Sequence, residues 1–181
     1  MTIGIFASGK GSNAENIIRY FHNTNHKIII FTNNEDAGVI EIAWTFNVNC
    51  IIFNKYEKLI NILDFNQIDF IVLAGYTKII PPDIIEKYEN RIINIHPSLL
   101  PKYGGKGMWG MNVHKSVIEN KEKESGITIH YVSENYDEGR IIEQHKLEVL
   151  LCDTPETLAK KISQLEREHF PKCIKRLISF F

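Results

Sequence analysis

Short runs of Ile, Val and Phe alternate along this chain with stretches whose apolar positions recur every three or four residues. Thr2–Phe6, Lys27–Thr32, Asn49–Phe53, Asp69–Ala74 and Arg91–Ile95 read as strands, several with successive apolar residues, as strands covered on both faces require. Between them Asn13–Phe21, Gly38–Phe46, Tyr56–Asp64 and Asp83–Tyr88 read as helices. The order β-α-β-α-β-α-β-α-β predicts an α/β fold, an open, mostly parallel sheet with helices on both faces and right-handed crossovers.

The texture changes after His96. Residues 96–112 form a loop punctuated by Pro97, Pro101, Gly104, Gly105, Gly107 and Gly110. A short helix is expected over Asn112–Asn120, then a strand over Gly126–Val132 with Ile127, Ile129 and Tyr131 inward and Thr128 and His130 on its polar side. A second late strand, Arg140–Val149, is expected to run antiparallel. Thr154 caps a final helix with Pro155 at its first position, Leu158, Ile162 and Leu165 as its apolar stripe, and Pro171 set to kink or divide it. With no linker or repeat, residues 1–181 read as one domain, with a βα half over 1–95 and a half of different texture over 96–181.

Composition narrows the function classes. Hydrophobic residues make up 44% and charged residues 24%, so the chain can build a core and is not a disordered tail. Lys plus Arg number 21 against 22 acidic residues, a balance that argues against a nucleic-acid or membrane-surface binder. Cys50, Cys152 and Cys173 are widely spaced and odd in number, and the first residues lack the basic start and apolar core of a signal peptide. A cytoplasmic setting is expected. Trp44 is expected in the core and Trp109 on the Gly-rich loop. No H-E-x-x-H or C-x-x-C occurs, so no metal site is expected.

Two segments carry candidate chemistry. Ser8-Gly9-Lys10-Gly11-Ser12-Asn13 lies between the first strand and first helix, where free backbone N–H groups suit an anion. Ser12 and Glu15 match a capping box, and that alone would explain them. Gly4 to Lys10 has P-loop spacing, but Gly11 stands where a Mg²⁺-binding hydroxyl is needed and Gly4 lies inside the strand. Gly9-x-Gly11-x-x-Ala14, with Glu35 and Asp36 after the second strand, leaves a dinucleotide-binding oxidoreductase open.

The second segment is Asn94-Ile95-His96-Pro97-Ser98-Leu99-Leu100-Pro101. Strand alternation points Asn94 and His96 to one face at the carboxyl edge of the sheet. An amide donor beside an imidazole suits acyl transfer to a substrate amine, with the oxyanion held by Asn94 and protonated His96. Asp137, in the turn Asn135–Gly139, offers a carboxylate that would hold His96 cationic and take up the amine's proton. Each of these residues also has an ordinary structural explanation, as a strand end or a turn.

With Ala7–Asn13 and Tyr136-Asp137-Glu138-Gly139, the Asn94–Tyr103 string resembles the phosphoribosylglycinamide formyltransferase family, folate-dependent enzymes of purine synthesis, from Ile3 to about Phe170. The resemblance implies the formyltransferase fold, with a Rossmann-like sheet, and formyl transfer from 10-formyltetrahydrofolate to glycinamide ribonucleotide. It implies catalysis by Asn94, His96 and Asp137, and substrate phosphate and ribose on Gly11, Ser12, Asn13 and Glu166. Folate would sit on Thr77, Lys78, Ile79 and Ile80 of the Gly75–Ile80 segment and on Tyr136. His130 matches a family histidine near the site. The implied partners are small molecules, with no metal, nucleic acid or membrane, for a monomer or homodimer.

Thr77 and Lys78 replace the Met and Arg of other members, the Gly104–Met111 loop looks longer, and the chain stops soon after its last helix. The rivals are an amino-sugar nucleotide or methionyl-tRNA formyltransferase, a formyltetrahydrofolate hydrolase, the oxidoreductase, and a silent ligand-binding module. Neutral charge and the absence of a tRNA-binding domain count against the tRNA enzyme. The absence of an N-terminal regulatory domain counts against the hydrolase.

Overall fold

A computed structural model describes residues 1–181. The chain divides into two compact units, Met1–Ile93 and Asn94–Phe181. The first unit holds β1 (Thr2–Phe6), α1 (Ser12–Phe21), β2 (Lys27–Thr32), α2 (Val39–Thr45), β3 (Asn49–Ile52), α3 (Leu59–Phe65), β4 (Phe70–Leu73) and α4 (Pro82–Lys87). A 3-10 turn, Tyr56–Lys58, precedes α3. β5 (Ile92–His96) crosses the boundary, and the second unit continues with α5 (Met111–Glu119), β6 (Glu124–Tyr131), β7 (Ile141–Glu148) and α6 (Pro155–Ile178).

The sheet order is β3-β2-β1-β4-β5-β6-β7. β1 pairs in parallel with β2 (Thr2↔Lys27) and with β4 (Ile3↔Phe70), and β2 in parallel with β3. Strand order reverses at β1 and β4, which makes their carboxyl ends the switch point where open α/β sheets bind ligands. Ile3, Ile5, Phe6 and all of β4 are buried, as expected of strands covered on both faces. Phe6 stacks on Phe31 at 4.9 Å and meets Tyr76 edge-on at 5.4 Å, packing the core beneath the loop that follows β1.

In the second unit β6 and β7 are antiparallel, with a register shift at Ile129/His130, and α6 packs on both strands and on α5. Both faces of β6 are buried. Thr128 and His130, expected on a solvated side, are fully enclosed along with Ile127 and Ile129. Alternation in this strand separates an apolar face from a buried polar one, and water is on neither.

Three further expectations are corrected. Trp44 is 85% exposed, because α2 buries Val39 and Ala43, four residues apart, and Trp44 lies one position round the helix. Pro171 does not divide α6, which runs unbroken from Pro155 to Ile178. Phe170, Pro171, Cys173 and Ile174 are all buried there, and that packing outweighs one lost backbone hydrogen bond. Ser12 and Glu15 form no capping box. The N-cap is Gly11, without a side-chain cap, and Glu15 instead accepts from Arg19 at 2.8 Å. No helix is long and apolar enough to cross a membrane.

Candidate active site

In the first unit, the loop after β1 reaches α1 through Gly11, whose φ of 79° lies in the left-handed region. A Cβ there would come within 2.8 Å of the Val39 and Ile42 side chains. The Val39 N–H donates to the Gly9 carbonyl at 3.2 Å, so α2 braces the loop from below. No side chain caps α1, and the helix N-terminus there is an end that favours an anion. Gly11→Val is expected to cost about 2–4 kcal/mol in folding stability, from a disfavoured φ plus overpacking. Ser12→Ala, at an exposed position, should stay within about 0.5 kcal/mol. Urea denaturation of the two variants checks this, and equal stabilities would contradict the packing described here.

Gly75–Ile80, after β4, lies in the same unit. Gly75, Thr77, Lys78 and Ile79 are exposed, while Ile80 is buried in the core. Ile79 is thus the apolar side chain this segment offers to a ligand.

The polar cluster belongs wholly to the second unit. Asn94 and His96 sit on one face of β5, and both reach the same carboxylate. Asn94 Nδ2 lies 3.4 Å from Asp137 Oδ1, and His96 Nδ1 lies 3.3 Å from Asp137 Oδ2. Asp137 is held inward by a left-handed φ of 58°, which Asp tolerates better than most residues. The Gly105 N–H donates to its Oδ2 at 2.9 Å, across a loop where a Cβ on Gly104 would meet Leu100 and crowd Asp137. Gly139 completes the turn, since a Cβ there would run into the Tyr131 carbonyl.

Proton positions follow from the acceptors. His96 Nε2 donates to the Tyr103 carbonyl at 2.7 Å, and its Nδ1 faces carboxylate, an arrangement that only a doubly protonated ring satisfies on both sides. His130 Nδ1 donates to the Tyr131 carbonyl at 2.9 Å. Its Nε2 lies 3.1 Å from Asn94 Nδ2 and 3.7 Å from Asp137 Oδ1, so it joins both to the cluster. Burial alone would push the Asp137 carboxyl up. His130, His96 and the Gly105 N–H more than offset it and hold the group well below the usual carboxylate range.

Sequence reasoning missed several supports. Thr128 Oγ donates to the Ser98 carbonyl at 2.7 Å and accepts from the Leu100 N–H at 3.0 Å, and Gln144 donates to the Leu100 carbonyl. These bonds pin the loop that supplies Tyr103 and Gly105 to the cluster. Their one sequence signal is a hydroxyl on the same strand face as His130. His114, on the buried face of α5, was also missed. Burial, and then the nearby His96 charge, lower its imidazole's pKa, and its Nδ1 has no hydrogen-bond partner. Tyr136 is half exposed beside Asp137 in the chain, and Glu166 lies partly exposed on α6.

Comparison with known proteins gives concordant matches. The Formyl transferase family model matches residues 1–174. A chloroplastic phosphoribosylglycinamide formyltransferase of Arabidopsis thaliana is 38% identical over 92% of this chain and 61% of its own length. The Bacillus subtilis phosphoribosylglycinamide formyltransferase is 36% identical over 96% of this chain and 93% of its own. The chain thus spans about 60% of the plant relatives' length and nearly all of the bacterial one. The crystal structure of phosphoribosylglycinamide formyltransferase from Bacillus halodurans superposes with a TM-score of 0.89 at 34% identity, over 99% of this chain and 96% of that one.

Proposed function

The chain belongs to the formyl transferase family, and from that premise we propose that it transfers the formyl group of 10-formyltetrahydrofolate to the amine of glycinamide ribonucleotide. The observation that carries this reading is one largely buried carboxylate shared by the amide and the imidazole at the end of β5, with no side-chain nucleophile needed. That set serves attack by an amine that the substrate itself brings.

In this reading the ribonucleotide phosphate takes the N–H groups of Gly11, Ser12 and Asn13, and Glu166 takes the ribose. The donor lies along Thr77, Lys78, Ile79 and Ile80 and against Tyr136. The exposed residues 77–79 and the exposed Tyr136 suit a flat heteroaromatic ring with polar edges. The folate supplies an activated formyl group, and the protein supplies orientation, charge and a proton path.

The amine nitrogen bonds to the formyl carbon, and the carbonyl electrons move onto oxygen. Asn94 donates to that oxyanion, and the cationic His96 ring, whose N–H groups stay on Tyr103 and Asp137, stabilises its charge. Asn94 is engaged by His130 and Asp137 at rest, and its 3.4 Å contact to Asp137 is the longer of the two. Turning that N–H from Asp137 to the oxyanion frees an acceptor on Asp137 as the ammonium forms, and the carboxylate takes the proton for relay to the leaving nitrogen. Collapse restores the carbonyl and expels tetrahydrofolate.

The reading keeps the reducing, cytoplasmic setting that three free cysteines suit. The test incubates the purified chain with 10-formyltetrahydrofolate and, in separate reactions, glycinamide ribonucleotide, an amino-sugar nucleotide, or buffer alone. Mass spectrometry then follows the formylated product. Formylation of the ribonucleotide alone is expected. Preference for the amino sugar, or release of formate without any amine, would overturn the reading.

A further inference from the structure

Ser8 closes the switch point of the first unit with every polar atom it has. It is the last residue before the glycines of the loop, and it faces the carboxyl ends of both neighbouring strands. Toward β4, its N–H donates to the Gly75 carbonyl at 3.1 Å, and its Oγ accepts from the Thr77 N–H at 3.4 Å. Toward β2, its Oγ donates to Asn33 Oδ1 at 2.8 Å, and its carbonyl accepts from Asn34 Nδ2 at 3.2 Å. The hydroxyl is thus donor to one strand end and acceptor from the other, and the Asn33 bond orients its lone pair at Thr77.

Nothing else tied to the loop reaches the Thr77 N–H. Gly75 has a φ of 78°, so the chain turns sharply as it leaves β4, and Tyr76 is anchored in the core by a 2.5 Å contact with the Tyr56 hydroxyl. Residue 76 is therefore fixed from below, and residue 77 is tied from the side by the Ser8 hydroxyl. From Thr77 to Ile79 the segment is exposed.

We infer that Ser8 is a positioning residue that sets Thr77–Ile79 in register with the Ser8–Asn13 loop, and that it governs affinity for the folate donor without touching it. The inference rests on the function proposed above for these two segments. It adds a residue that neither touches substrate nor takes part in the chemistry.

Ser8→Ala removes the hydroxyl and leaves both of Ser8's backbone contacts. The KM for 10-formyltetrahydrofolate is expected to rise about tenfold, the usual scale for one supporting hydrogen bond. The KM for glycinamide ribonucleotide and kcat should stay within about twofold. Ser8→Thr, which keeps the oxygen, should restore the donor KM. A merely structural serine would instead lower the melting temperature and leave the KM values alone, or raise both together, and either result overturns the inference.

A second readout is independent of activity. In ¹⁵N-labelled protein the Thr77 amide resonance should move in Ser8→Ala and return in Ser8→Thr, while Ile5 and Val72 amides stay in place. An unmoved Thr77 amide overturns the inference even if the wild type formylates the ribonucleotide. A moved amide with an inactive wild type would sustain the positioning and sink only the proposed reaction.

Discussion

His96→Ala and Asn94→Ala should each lower kcat by about 10²–10³-fold, the usual loss for one oxyanion donor, with both substrates saturating. The first removes a cation beside the developing oxyanion, and the second removes an N–H donor to it. Each should therefore leave the KM values nearly unchanged, the mark of an interaction made chiefly in the transition state. The double variant should lose less than the product of the single losses, because both side chains address one carboxylate and one oxyanion. Stability gives a useful contrast. His96 is buried and bonded on both ring nitrogens, so His96→Ala leaves the Tyr103 carbonyl and Asp137 short of a donor and should lower the melting temperature. Asn94 is only partly buried, and its alanine variant should melt closer to wild type. Steady-state kinetics with thermal denaturation checks both statements. Retention of more than about a tenth of wild-type turnover in either variant would contradict a transition-state role.

The parts of this molecule legible in sequence are those governed by local pattern. β1 and β2 were expected over Thr2–Phe6 and Lys27–Thr32, and the structure has those bounds, because β-branched runs between turn residues leave little else to form. The shared face of Asn94 and His96 also follows from strand alternation. What failed had a tertiary cause. Ser12 looked like a cap, but the left-handed Gly11 takes that position, and Glu15 turns to Arg19 one helical turn on. Trp44 looked like core because it is large and apolar. The burial of α2 is decided by Val39 and Ala43, whose spacing could have shown that Trp44 faces away.

The support of the cluster was less legible still. Tyr103 and Gly105 contribute a backbone carbonyl and a backbone N–H, groups that every sequence position possesses. Only the path of the loop makes them special, and that path depends on Thr128 and Gln144, 25 and 41 residues beyond Tyr103. His130 had a residue-level signal but an ambiguous one. Its role depends on which ring nitrogen carries the proton, and that is set by the Tyr131 carbonyl.

Asp137→Asn should be the more informative loss, because it tests charge with little change of shape. Turnover should fall by about 10²–10⁴-fold, the range for a group that moves a proton in the transition state, since an amide cannot take the proton that the amine gives up. The pH dependence has a definite sign. Asp137's carboxyl is held well below the usual range, so it stays ionised throughout the range where the enzyme would be assayed, and an acid limb above about pH 5 belongs to another group. In stability, a depressed folded-state value contributes above the unfolded carboxylate value and is lost as pH falls through the folded one. The stability that ionisation of this carboxyl contributes should thus persist from pH 7 to about pH 5. It should shrink from about pH 4 downward. Glu138→Gln is the control. Glu138 is exposed and accepts from Asn135 Nδ2 at 2.8 Å, away from the histidines, so its variant should keep nearly full turnover and the wild-type pH profile. Damage from Glu138→Gln with Asp137→Asn intact would move the assignment by one residue. A wild-type rate in both variants would leave 135–139 as a turn and nothing more.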